Sequence, residues 1–143
     1  MIIVNRMVRE ISQLQENRQI KLMAERRLFL KRRWRGSAED GTEFGFDLED
    51  RLTSGCVIHQ TTEADYVICQ EPEHVFEIPF ESSQKAALVG WKIGNLHFPV
   101  EITQNSVIAP NDPAIRQLIE REGWTLHEVN VLFKPLRVVP HVS

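Results

Sequence analysis

The chain has 143 residues, 42% of them hydrophobic and 26% charged, with a formal net charge of −3. That is enough to bury a core but little for two independently robust domains, and it offers neither the ~20-residue apolar run of a membrane span nor the bulk basic charge of a nucleic-acid binder. Cys56 and Cys69 are too few for a disulfide framework, and residues 1–10 carry no secretory pattern, so the expected compartment is the reducing cytoplasm.

Residues 27–38 mix Leu28, Phe29, Leu30 and Trp34 with cations and are predicted to form a strand. Glu39-Asp40-Gly41 supplies the turn after it, since glycine tolerates the positive φ of a tight hairpin. Phe44, Phe46 and Leu48 alternate with Gly45 and Asp47, which places three apolar side chains on one sheet face. Ser54-Gly55 marks another turn, and Val57-Ile58 and Tyr66-Val67-Ile68 predict two further strands. Short strands between regular turns point to a small β-sandwich or barrel. A basic cluster (Arg26, Arg27, Lys31, Arg32, Arg33, Arg35) precedes an acidic one (Glu39, Asp40, Glu43, Asp47, Glu49, Asp50). Solvated pairing across the hairpin is the expected arrangement, with steering of an acidic partner as the alternative. Residues 70–74, with Pro72, are the predicted linker, giving a β domain over 1–74 and a second domain over 75–143.

The second half changes character. Residues 75–80 read as a strand. Ser82 or Ser83 caps a helix carrying Ala86, Ala87, Val89 and Trp91, which Gly94-Asn95 ends. Residues 98–102 and 106–109 are two more strands. Asp112-Pro113 then opens a second helix with Ala114, Ile115, Leu118 and Ile119 on one face, and Gly123 stops it. Residues 124–133 form the last strand. The order β-α-β-β-α-β is the ferredoxin-like pattern, so the predicted class is α+β: a small all-β domain followed by a ferredoxin-like one.

Metal candidates are the histidines and cysteines. Cys56, His59, Cys69 and His74 have a zinc-like C-x2-H…C-x4-H spacing, but their surroundings look extended rather than like the tight turns of zinc knuckles. His127 alternates with Val129, Val131 and Phe133 and reads as a hydrogen-bonded core or edge histidine. His97 follows Gly94-Asn95-Leu96 directly after a helix, where neither packing nor capping requires histidine. One imidazole is a weak metal site, and a two-fold dimer with His97 near its axis would supply a second; a plain loop histidine is the alternative.

At these residues the sequence resembles the urease accessory protein E family. The stretch Gly90-Trp91-Lys92-Ile93-Gly94-Asn95-Leu96-His97 is similar to the family's G-x-x-x-G-N-R-H signature. Asp112, the apolar helix face, Gly123 and Phe133-Lys134-Pro135 resemble the downstream pattern. Lys31-Arg32-Arg33 with Asp40-Gly41 and Leu48 resembles the N-terminal domain, likened to a peptide-binding module. The resemblance implies a cytoplasmic homodimer and a nickel metallochaperone, with His97 as metal ligand at the subunit interface. It also implies delivery of Ni²⁺ to apo-urease with an accessory GTPase. Leu96 replaces the usual arginine, Asn111 and Pro113 stand where some members carry accessory histidines, and His141 is the one imidazole of a tail that is often histidine-rich. His141 is therefore a second candidate ligand, with a tail that plays no part as the alternative. Zn²⁺ or Cu²⁺ can occupy such a site, since imidazole affinity does not favour nickel. The competing reading is a protein-interaction adaptor with incidental metal binding. An enzyme is not expected, because nothing at recognisable spacing supplies a nucleophile or a partner carboxylate for His97. No membrane or nucleic-acid partner is expected.

Overall fold

In the computed structural model, which describes residues 1–136, the chain divides between Glu71 and Pro72 into two units, each with its own core. The first contains β1 (Ile2–Val4), β2 (Gln19–Ala24), β3 (Arg33–Ser37), β4 (Glu43–Asp47), β5 (Val57–Gln60) and β6 (Asp65–Gln70). They form two three-stranded sheets, β1-β4-β3 and β2-β6-β5. Phe44, Phe46 and Leu48 face inward as their alternation demands, and they share one cluster with Leu22, Tyr66 and Ile68 of the other sheet. Trp34 stacks on Phe46 with ring centroids 4.0 Å apart.

The β3-β4 hairpin turns at the expected place. Gly41 has φ of 86°, and its N–H donates to Ala38 O at 2.9 Å. Residues 27–38 are not one strand, however. Arg26–Leu30 is a 3₁₀ turn, and extended pairing begins only at Arg33. The neighbours Leu28 and Phe29 both pack against the core, which the strict alternation of a strand forbids. The charge clusters do meet across the hairpin: Arg32 and Arg33 each reach Asp47 Oδ1 at 3.3 Å while staying over two-thirds exposed. Such pairs contribute about 0–1 kcal/mol. The expected linker at 70–74 is also shorter than predicted, because β6 runs to Gln70 and the next strand starts at Glu73.

The second unit runs β7 (Glu73–Pro79), α1 (Ser83–Asn95), β8 (Glu101–Ile102), β9 (Ser106–Pro110), α2 (Pro113–Glu122) and β10 (His127–Val131). Its sheet is antiparallel throughout in the order β10-β7-β9-β8, the ferredoxin-like arrangement. Ser82 caps α1 by accepting from Lys85 N–H, and Asp112 caps α2 by accepting from Ala114 N–H with Pro113 in the first turn. Both helices cover one sheet face, where Phe76, Ile78, Val89, Ile93, Ile115 and Leu118 are buried together. Residues 132–136 return across the other face from the β10 edge to the β8 edge. Phe133 is buried there with Val75 and Ile108. Lys134 N–H donates to Glu101 Oε1 at 2.7 Å, and Leu136 N–H to Val100 O at 2.8 Å. No helix among the described residues is long and apolar enough to cross a membrane.

Several polar contacts tie the hairpin tip to the opposite sheet, among them one that shifts a carboxyl group. Tyr66 O–H donates to Asp40 Oδ2 at 2.6 Å, and this bond, foremost among several, holds the Asp40 carboxyl below its ordinary 3.8. A depressed carboxylate stabilises the fold above its unfolded-state value and loses that contribution as pH falls through the folded one. Tyr66→Phe is therefore expected to raise the Asp40 midpoint toward 3.8, read by carboxyl NMR titration.

Candidate metal site

The four histidines within the described residues stand in different settings. His59, on β5, packs against Phe44 and Tyr66 with centroids 6.1 and 5.7 Å away. His74 Nε2 lies 3.4 Å from Glu128 Oε1, but Arg116 also reaches that oxygen at 2.8 Å, a fixed cation that opposes a metal ion there. His127 Nδ1 is 3.7 Å from Glu77 Oε1 and sits exposed beyond the apolar patch of Val129 and Val131, an edge rather than a core position. Cys56 is buried in the first unit's core whereas Cys69 lies outside that cluster, and desolvation raises both thiols, against thiolate ligation. Among the described residues no three His, Cys, Asp or Glu side chains converge. His141 lies outside the described residues.

His97 stands apart through its backbone. Leu96 caps α1 with φ of −84°, and His97 follows with φ of 66°, the only positive value at a non-glycine among the described residues. Its N–H donates to Gly94 O at 2.9 Å. This is the left-handed position that closes a helix, and at the end of α2 the same job falls to Gly123 with φ of 69°. An L-residue with a Cβ costs roughly 1–2 kcal/mol there. Histidine in place of glycine thus keeps an exposed imidazole on a backbone that would prefer to lack it, a pattern associated with functional sites.

The helix leading to His97 has a second unusual face. Val89 and Ile93 point into the core. On the opposite side Ala87, Leu88 and Trp91 are exposed, Trp91 by 64%. Nothing lies within contact distance of a Cβ placed on Gly90 or Gly94. Trp91, expected among the helix's apolar positions, is therefore an outward residue; its place about half a turn round from Val89 was the available signal.

Residues 73–140 match the family model described as UreE urease accessory protein, C-terminal domain. The match starts with the first residue of β7 and follows the β-α-β-β-α-β unit. Urease accessory protein UreE of Beijerinckia indica is 30% identical over 107 residues, covering 73% of this chain and 62% of the relative. The protein of the same name from Bacillus cereus is 27% identical over 124 residues, covering 85% and 82%. That of Chelativorans is 28% identical over 109 residues, covering 73% and 68%. The second unit is thus similar to the C-terminal domain of UreE urease accessory proteins, and relatives of that name extend the similarity into the first unit. The chain spans less than two-thirds of the length of the first of these relatives. All three relatives are named accessory proteins of urease rather than enzymes.

The strain at residue 97 can be measured separately from any ligand. His97→Gly removes the Cβ clash at the cost of extra unfolded-state entropy. Urea unfolding without metal is expected to show unchanged or increased stability, by up to about 1 kcal/mol, whereas His97→Val should destabilise.

Proposed function

We propose that the protein is a nickel metallochaperone for urease maturation, holding one Ni²⁺ between the His97 imidazoles of two chains related by a two-fold axis. The observation that carries this reading is His97 itself: exposed, held in a left-handed conformation, and placed directly after the apolar outward face of α1. One imidazole cannot hold nickel tightly. A face carrying Ala87, Leu88 and Trp91, with glycines that admit close approach, is suited to pair with its own copy, and a two-fold interface repeats every ligand. Dimerisation would then bury the exposed tryptophan and assemble the metal site in one step.

His141 is the proposed auxiliary ligand. Leu136 is bonded to Val100, close in sequence to His97, so the chain beyond it starts from the neighbourhood of the site. Residues 137–141 span at most about 17 Å, which defines the reach of that imidazole. Zn²⁺ and Cu²⁺ should compete at the same site, so selectivity rests on supply and on the recipient. The recipients proposed from the family are apo-urease and its accessory GTPase, in the cytoplasm.

Equilibrium dialysis tests the ligand. His97→Ala is expected to lose the tightest nickel site while sedimentation still reports a dimer, and removal of residues 140–143 should weaken binding by less. Wild-type affinity in His97→Ala would overturn the assignment. Protons compete with nickel for imidazole, which titrates near 6.5 in water, so affinity should fall between about pH 7.5 and pH 5.5. A separate measurement addresses the face: Trp91→Glu places a charge into the proposed interface and should shift the sedimenting species from dimer to monomer.

A further inference from the structure

We propose that Glu77 and His127 form a further metal site in the second unit, binding one hydrated divalent first-row transition ion per chain. This does not rest on the His97 reading, because the pair lies on the sheet face crossed by residues 132–136, opposite the helices. Strand alternation decides the face. Phe76 and Ile78 point to the helices, so Val75, Glu77 and Pro79 point the other way. His127 is registered directly against Glu77 across β10 and β7. The helix side is left to Glu128, which Arg116 of α2 reaches.

The geometry fits an ion better than a direct bond. His127 Nδ1 and Glu77 Oε1 are 3.7 Å apart, too far for a hydrogen bond, which needs about 2.7–3.2 Å. A transition ion holding both atoms at roughly 2.0–2.2 Å places them about 3–3.5 Å apart, which a small rotation of either side chain supplies. The other carboxylate oxygen is oriented from behind. Ser106 Oγ lies 3.5 Å from Glu77 Oε2 and 2.9 Å from Thr103 Oγ1. Ser106 is only 5% exposed, so this support is fixed, in the way outer hydrogen bonds steady a ligating carboxylate. His74 and Glu128, the comparable pair on the helix side, already have a cation in Arg116. Among the described residues no lysine or arginine forms an ion pair with Glu77. Val129, packed with Val75, Ile108 and Phe133, gives the pair an apolar border. The outward sides of both ligands are open, which leaves room for water to complete the shell. One imidazole with one carboxylate selects Ni²⁺, Zn²⁺ or Cu²⁺ over Mg²⁺. Two protein ligands hold an ion more loosely than a full shell, so the site suits exchange rather than storage.

The test titrates the full-length His97→Ala protein with Zn²⁺ and follows each imidazole separately by ¹⁵N NMR. Removing His97 keeps this outcome distinct from that of the interface site. His127 is expected to shift saturably at one equivalent per chain, with Nδ1 carrying the metal and Nε2 the proton. Glu77→Gln, which keeps the side chain's shape and removes its charge, should weaken binding about tenfold or more. Ser106→Ala should weaken it by a smaller factor; if that variant does not fold, as circular dichroism reports, Glu77→Gln decides. Excess Mg²⁺ should leave the shift in place. Absence of a saturable shift at His127 would overturn the proposal. So would metal on Nε2, indifference to Glu77→Gln, displacement by Mg²⁺, or an equal loss in His141→Ala, which would assign the ion to the tail.

Discussion

Helix α1 has to stop, and the chain has to turn back toward β8, before the four-stranded sheet can be completed. That reversal is made by a residue in the left-handed region, a conformation that disfavours any side chain with a Cβ. The same unit solves the same problem at the end of α2 with Gly123. At the end of α1 the residue is His97. The energetic preference therefore runs against the residue present.

The surroundings fix the backbone on either side of that residue. On one side Val89 and Ile93 fix α1 against the sheet. On the other, residues 132–136 cross the sheet's second face and tie Val100 and Glu101 to the returning chain. Phe133 is fully buried under this strap, and a buried phenylalanine contributes about 1.5–3 kcal/mol relative to an exposed one. The segment holding His97 is thus anchored by the helix before it and by the strap after it. Among the described residues the outward side of α1 is left exposed, with Trp91 64% accessible.

Much of the second unit was legible because its signals are local. Asp112, Pro113 and Gly123 each impose one backbone requirement at one position, and together they delimit α2 to within a residue. The first unit was harder. Phe44, Phe46 and Leu48 gave the β4 face, but the parallel pairings of β1 with β4 and of β2 with β6 join segments some forty residues apart. No local pattern encodes such a pairing, and the apolar start of the chain did not read as a strand. The 3₁₀ turn at Arg26–Leu30 was hidden because adjacent apolar residues fit either a buried strand or a tight turn. At the site, the Gly-Asn-x-His element drew attention to His97, whereas its positive φ, the property that distinguishes it physically, has no sequence signature beyond following a helix.

The proposed site is a property of two chains rather than one, built on an exposed histidine in the left-handed region beside an apolar, outward helix face. Metal stoichiometry in the intact assembly addresses that directly. Native mass spectrometry of the protein titrated with Ni²⁺ is predicted to show a dimer that takes up one tightly bound ion before any other. A first ion bound by each monomer, or a dimer that fills two equivalent tight sites together, would contradict the account.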